Sequence, residues 1–330
     1  MLARRLAEVP VLLADGATGT NLFAMGLANG EAPELWLDSH PDRIAALHRA
    51  FVEAGADIIL TNSFGGNARR LALHGLQHRT RELNRRAAEI AREVADAAGR
   101  PVVVAGSVGP TGDLLAPLGP LTEGEATEVF AEQIAGLCEG GADVAWIETM
   151  SAPEEMRAAA AAAAQARLPW TLTASFDTAG RTMMGLMPDA FASFAATLPT
   201  QPLAIGANCG VGAADLVVSV LGIAGDEPAV PVIAKANAGI PVVLGDSVIY
   251  SGTPEIMEVY AHLAMDAGAR IVGGCCGTTP AHLAAMRRAL DAHATGPRPA
   301  IAAIIEALGP LAQPPPTAGA ERRASRRRSA

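Results

Sequence analysis

Residues 57–109 read DIILTNSFGGNARRLALHGLQHRTRELNRRAAEIAREVADAAGRPVVVAGSVG. Two short apolar runs at its ends have strand length and are rich in Ile and Val. Between them TRELNRRAAEIAREVADAAG (80–99) carries no proline and is long enough to be a crossover helix, which returns the second strand parallel to the first. The same unit recurs in both directions. Upstream, VLLADGA (11–17) is followed by PDRIAALHRAFVEAGA (41–56). Downstream come ADVAWIETM (142–150), TLTASFD (171–177), AIGANCG (204–210), VIAKANAG (232–239) and IVGGCCG (271–277), with helical stretches between most of them. Eight strand candidates in regular alternation over about 280 residues match an eightfold parallel α/β barrel, the (β/α)8 or TIM-barrel class, whose usual size is ~250 residues. A doubly wound open sheet would be favoured by a Gly-x-Gly-x-x-Gly turn after the first strand, and none is present.

The totals agree with one large barrel. Of 330 residues, 50% are hydrophobic and 18% charged, a balance suited to a compact body. The run RAAAAAAAQAR from Arg157 reads as a helix of high intrinsic propensity. Beyond residue 293 the character changes. Residues 294–330 hold one short apolar helix candidate and then a Pro-rich, Arg-rich stretch that cannot bury enough surface to fold, so the expected division is a barrel over 1–293 and a disordered tail at the end of 294–330. The net charge of -9 leaves no basic surface for nucleic acid or an anionic membrane, which directs attention to small-molecule substrates. Arg4 and Arg5 precede the apolar run VPVLLA, which Asp15 interrupts before it reaches the length of a signal-peptide core. No uncharged apolar stretch reaches the roughly 18 residues of a membrane span. A cytoplasmic protein is expected, and association into a homo-oligomer is left open.

Parallel barrels gather their active sites at the C-terminal ends of the strands. Here those ends carry Asp15-Gly16-Ala17-Thr18, Thr61-Asn62-Ser63-Phe64, Glu148-Thr149, Asn208-Cys209-Gly210, Asn237-Ala238-Gly239 and Gly273-Gly274-Cys275-Cys276-Gly277-Thr278. Three of the four cysteines therefore converge on one rim although Cys209 is remote in sequence from the other two. Three thiolates suit a soft-ligand tetrahedral metal, above all Zn2+, with a fourth position left for substrate or water. Neighbouring strand residues point to opposite faces, so Cys275 and Cys276 can share one ion only where the backbone leaves regular β geometry, and the flanking glycines permit that. Burial as small hydrophobes is the alternative. It fits Cys138, inside the helical AEQIAGLCEGG, far better than glycine-flanked cysteines at strand ends. A redox pair is disfavoured because no Cys-x-x-Cys turn is present. A metal already bearing three thiolates is a weak Lewis acid that leaves a fourth sulfur electron-rich, so the predicted chemistry is displacement by a metal-held thiolate at a methyl carbon.

Asp-Gly-Ala-Thr-Gly-Thr (15–20), Gly-Ser-Val-Gly-Pro-Thr (106–111), Asn208-Cys209 and Gly-Gly-Cys-Cys-Gly-Thr-Thr-Pro (273–280) resemble the homocysteine S-methyltransferase family over roughly residues 10–290. The family includes betaine-homocysteine methyltransferases, S-methylmethionine-dependent enzymes and the homocysteine module of cobalamin-dependent methionine synthase. The resemblance implies Cys209, Cys275 and Cys276 as zinc ligands and as the catalytic centre, with Asn237 at the position that fills the fourth place in some members. It also implies that Asp15, the Gly16 backbone and Glu148 hold the amino-acid end of homocysteine, which would be methylated to methionine. Two carboxylates would suit an α-ammonium group. An onium donor such as glycine betaine would want aromatic walls. Trp36 matches an aromatic position of the betaine enzymes, and Phe64 offers a second wall. Animal betaine enzymes place cage tyrosines where this chain has Phe64-Gly65 and Glu148-Thr149, yet LADGATGTNLFAMGL, TNSFGG and AWIETMSA are most similar to bacterial betaine-homocysteine methyltransferases. The alternatives are a homocysteine-activating subunit of a split cobalamin-dependent methionine synthase, an S-methylmethionine-dependent enzyme, and a scaffold with structural zinc. Asp291-x-His293-x-x-Gly296 imitates a cobalamin-binding signature, but its histidine follows a helix instead of a strand and the match reads as accidental.

Overall fold

The computed structural model describes residues 1–244 and 247–312. Its main sheet has eight parallel strands: β1 (Leu12–Leu13), β2 (Ile58–Leu60), β3 (Val103–Val108), β4 (Val144–Met150), β5 (Trp170–Ala174), β6 (Ile205–Cys209), β7 (Val232–Ala236) and β10 (Ala269–Gly274). From β2 to β7 each strand pairs with the next, β7 pairs with β10 and β10 with β1. The ring closes where Ala14 bridges Ile58, Asp15 N donates to Ile58 O at 2.9 Å and Asp57 N to Leu13 O at 2.7 Å. This is a (β/α)8 barrel, and all eight strands lie at the runs expected from sequence.

Strand residues are buried almost without interruption because both faces of a parallel sheet are covered. Leu12, Ile58, Val103, Val144, Trp146, Ile233 and Ile271 belong to one buried cluster that fills the barrel interior. The larger cluster lies between strands and helices and includes Phe51, Phe130, Ile134, Phe191, Val220 and Leu283. Five connecting helices begin with proline, at Pro41, Pro153, Pro188, Pro254 and Pro280. Proline has no N–H to leave unpaired there and its φ suits a first turn, so each helix starts at a fixed place after its rim loop.

Two elements went unforeseen. The helix Leu2–Glu8 sets Leu2 into the barrel-interior cluster with Leu6 and Val9 against it, closing the end opposite the rim. The Arg270 guanidinium on β10 ties this segment down by donating to the carbonyls of Leu6, Val9 and Pro10. The second is a hairpin, β8 (Pro241–Leu244) paired antiparallel with β9 (Ser247–Tyr250), inserted after β7. It carries Tyr250 to the rim. After the last barrel helix, Pro280–Ala292, a further helix spans Ile301–Leu308 and buries Ile304. The expected disordered end of the tail lies outside the described residues from 313 onward. No helix among the described residues is long and apolar enough to cross a membrane.

Candidate active site

Cys209 is the last residue of β6 and stands at φ 61°, followed by Gly210 at φ 73°. The left-handed turn takes its side chain out of the strand alternation. Cys275 and Cys276 follow β10 directly. Cys275 N still donates to Ala236 O of β7 at 2.7 Å, after which Thr278 N and Oγ1 both donate to Cys275 O, the latter at 2.6 Å. That turn needs Gly277 at φ 79°. A Cβ on Gly277 would lie 2.2 Å from the Tyr250 ring. The departure from β geometry required for two adjacent cysteines to face one point is therefore made by this turn.

The three sulfurs lie within 4.8 Å of one another, and Cys209 Sγ stands 3.9 Å from Cys276 Sγ. Ligands of a tetrahedral ion at ~2.3 Å would be ~3.8 Å apart, so the spacing fits a metal held by three thiolates. Two amides from the strand ends reach the same sulfurs. Asn208 Nδ2 is 3.8 Å from Cys275 Sγ and Asn237 Nδ2 is 3.6 Å from Cys209 Sγ. Asn208 is fixed in turn by Thr149 and by Thr173 Oγ1, which donates to its Oδ1 at 2.6 Å. Such donors orient ligands and offset their charge. Asn237 Nδ2 also donates to Gly210 O at 2.7 Å, while its Oδ1 is buried with no hydrogen-bond partner. A buried orphan acceptor is costly, and beside three sulfurs it suits the fourth place on a cation.

The thiols resist ionisation in the absence of a cation. Hydrogen bonding to Cys275 lowers Cys209, but its bond with Cys276 and burial outweigh this and push it up to about 12. Cys276 is lowered by Cys209, raised by Cys275 and by burial, and reaches about 12. Cys275 is raised by its hydrogen bond with Cys209 and by burial. A divalent cation would relieve both the mutual repulsion and the desolvation. Cys138, by contrast, sits alone in the helix Glu123–Glu139, half-buried against the core.

The cluster opens into a cavity of about 580 Å³ at the C-terminal rim. Gly16 lines it, and a Cβ there would meet Thr278 Oγ1 at 2.8 Å and the Phe51 ring at 2.9 Å. Glu148 lines it too, accepting from Ser107 Oγ at 2.6 Å. Burial raises the Glu148 carboxyl, with Lys235 opposing. Phe64, 40% exposed, stands on the wall with Phe23 and Tyr250.

Two expected residues sit elsewhere. Trp36 is only 2% exposed and is not on the cavity wall. Its ring packs 4.7 Å from that of His40 with the Arg43 guanidinium 5.1 Å above it. As a wall of a donor cage it is corrected by this burial; Glu34, two residues earlier, takes the place on the wall. Asp15 is fully buried behind the cavity, where Leu60 N donates to its Oδ2 at 2.7 Å and Lys235 Nζ to its Oδ1 at 2.8 Å. Lys235 is itself on the wall. Burial works against its ammonium, but Asp15 and Glu148 outweigh it and hold the group above its ordinary value. Sequence reasoning passed over Lys235. The signal was present: a lone charge in the apolar run VIAKANAG, at a strand position where a lysine has no cheap place.

A family model described as homocysteine S-methyltransferase matches residues 12–290. The methionine synthase of Mycobacterium tuberculosis is 32% identical over 289 residues, covering 83% of this chain and 24% of that one. Its Mycobacterium leprae counterpart is 31% identical over 333 residues, covering 92% and 27%. The chain thus spans about a quarter of the length of these relatives. The crystal structure of the homocysteine methyltransferase MmuM from Escherichia coli, in its metallated form, superposes with TM-score 0.70 at 27% identity, over 87% of this chain and 99% of that one. A methyltransferase from Methanosarcina mazei, 14% identical with TM-score 0.55 over 88% and 97% of the chains, shares the fold.

Proposed function

This chain belongs to the homocysteine S-methyltransferase family, and we propose that it transfers a methyl group from a small onium donor, glycine betaine first, to homocysteine, giving methionine. The observation that carries the reading is that three cysteine sulfurs within 4.8 Å of one another open onto the same cavity as Glu148 and Gly16.

Cys209, Cys275 and Cys276 would hold zinc, with Asn237 Oδ1 as the ligand that an incoming thiol displaces. Zinc, when bound there, lowers the pKa of a coordinated thiol so that it is present as the nucleophilic thiolate at neutral pH. The chain's own residues do the rest. Glu148 takes the α-ammonium group of homocysteine, and Gly16 lets the backbone approach its amino-acid end. A cavity of about 580 Å³ is large enough for a thiol amino acid and a small donor together. The aromatic side chains of Phe64, Phe23 and Tyr250 on its wall would attract an onium cation. In the transfer the sulfur–methyl bond forms as the methyl–nitrogen bond breaks. The bonding pair stays on the amine, which leaves as dimethylglycine, and the proton of the thiol goes to solvent.

A second reading follows from the length of the relatives. Methionine synthases nearly four times as long suggest that this chain activates homocysteine for a methyl group carried by a separate cobalamin protein. The test is methionine formation by zinc-loaded protein from betaine, S-methylmethionine, dimethylsulfoniopropionate or a methylcobalamin-bearing partner. Turnover with betaine alone is the expected result. Turnover with methylcobalamin alone moves the assignment to the second reading, turnover with a sulfonium alone to an S-methylmethionine-type enzyme, and turnover with none to a structural metal scaffold.

A further inference from the structure

We propose that Lys235 binds the α-carboxylate of the thiol substrate, opposite Glu148, and that Asp15 acts as the counter-ion that orients Lys235. The inference rests on the reading that a thiol amino acid is held at the three-cysteine centre.

Lys235 lies inside the barrel on β7 and is 2% exposed, yet its side chain reaches the same cavity as Cys275, Cys276 and Glu148. A buried ammonium is costly unless its charge and all its donors are used. An ammonium has three donors. Among the described residues Asp15 Oδ1 takes one, at 2.8 Å, and no second acceptor lies within hydrogen-bonding distance. The Trp146 ring, 5.7 Å from Nζ, supplies only a weaker attraction on one side. Donors therefore remain unspent on a cationic group facing the cavity.

Glu148 is its complement. Ser107 Oγ occupies Oε1 at 2.6 Å, and Oε2 has no hydrogen-bond partner among the described residues. A cation with spare donors and an anion with a spare acceptor, on one wall beside the sulfurs, match the two ends of a zwitterionic α-amino acid whose thiol points at the cysteines. Asp15 itself is not on the cavity wall. Both its oxygens are engaged, by Leu60 N and Lys235, and the lysine lies between it and the cavity. Asp15 and Glu148 both act on Lys235 in the free protein, so the wall carries two carboxylates to one ammonium, and a zwitterion would bring its positive group to Glu148 and its negative group to Lys235.

The test loads the full chain with cobalt(II) in place of zinc and follows the sulfur-to-cobalt absorption band during titration with three thiols. These are homocysteine, 3-aminopropane-1-thiol, which lacks the carboxylate, and 4-sulfanylbutanoate, which lacks the ammonium. The parent protein is expected to prefer homocysteine over each by at least about tenfold, the scale of one charge-assisted hydrogen bond. Lys235→Met should abolish the preference over 3-aminopropane-1-thiol and keep that over 4-sulfanylbutanoate; Glu148→Gln should do the reverse. Lys235→Arg should retain both. If Lys235→Met does not fold, the neutral pair Asp15→Asn with Lys235→Gln keeps a hydrogen bond in the same place and should show the same selective loss. Equal weakening of all three thiols, or an unchanged preference, overturns the role of Lys235. A parent protein that binds the three thiols equally overturns the clamp while leaving the thiol-at-metal reading standing. A parent whose cobalt band responds to no thiol overturns both.

Discussion

Metal binding should release three protons from the cysteine cluster, and should go on doing so at a pH where ordinary thiols would release half as many. Cys209 and Cys276 titrate at about 12 in the metal-free cluster, and Cys275 is also raised, so each must lose a proton to become a ligand. Below those values every pH unit of increase strengthens binding about tenfold per thiol, about a thousandfold for three, or ~4 kcal/mol at ~1.4 kcal/mol each. Unperturbed thiols, at the model-compound value of 9.0, would be half ionised at that pH and would together release ~1.5 protons. The crowded cluster should still release nearly three. Calorimetric zinc titrations at pH 7 and pH 9, in pairs of buffers with different ionisation enthalpies and with zinc delivered from a weak chelator, count the protons directly. Fewer than two at pH 9 would refute the claim that repulsion and burial hold these thiols protonated, and a single proton at pH 7 would refute a three-thiolate site. The metal-free fold responds to pH in the opposite direction. Groups raised above 9.0 stabilise the fold while they remain protonated, and that contribution is lost as pH rises from about 9 towards about 12. Metal-free melting temperature should fall across that window, and that of the zinc form should not.

The remaining predictions concern single side chains. Cys275→Ala should lose both metal and turnover while Cys138→Ala keeps both, as metal analysis and a methionine assay on the two purified variants would show; equal metal content would count against the assigned cluster. Gly16→Ala places a Cβ 2.8 Å from Thr278 Oγ1 and 2.9 Å from the Phe51 ring, which should cost about 1–3 kcal/mol in urea denaturation and depress homocysteine methylation further than that loss explains. Wild-type turnover in that variant would mean that the close approach at Gly16 has no part in the site.

The barrel was legible because each strand is a short apolar run whose alternation is suppressed by burial on both faces, and because each ends in small or polar residues before a helix. The hairpin of β8 and β9 was not, since PVVLGDSVIY was assigned to no element and only its tertiary position puts Tyr250 beside Cys276. The cysteine cluster was legible for a chemical reason: a thiol flanked by glycines at a strand end has little packing value, so its presence needs another account. Trp36 lacked any such mark. A tryptophan in a rim loop reads identically whether its ring turns to substrate or to the helices beneath, and two residues of offset separate Glu34, on the cavity wall, from Trp36 in the core.

Asp15 and Lys235 carry the harder lesson, because sequence reading located the carboxylate correctly at the rim end of β1 and still missed what it faces. Their side chains are 220 residues apart in sequence and 2.8 Å apart in space, and only closure of the barrel, which sets β1 beside β10 and β10 beside β7, brings them together. A carboxylate read alone asks for a cation, and a substrate ammonium is the obvious candidate. Once a lysine of the same chain answers that demand, the carboxylate's influence passes through the lysine, and the pocket presents substrate with a positive group where the residue list by itself promised a second negative one. The ligand that fits is therefore set less by which charged residues reach the rim than by which of them remain uncompensated after the strands have paired.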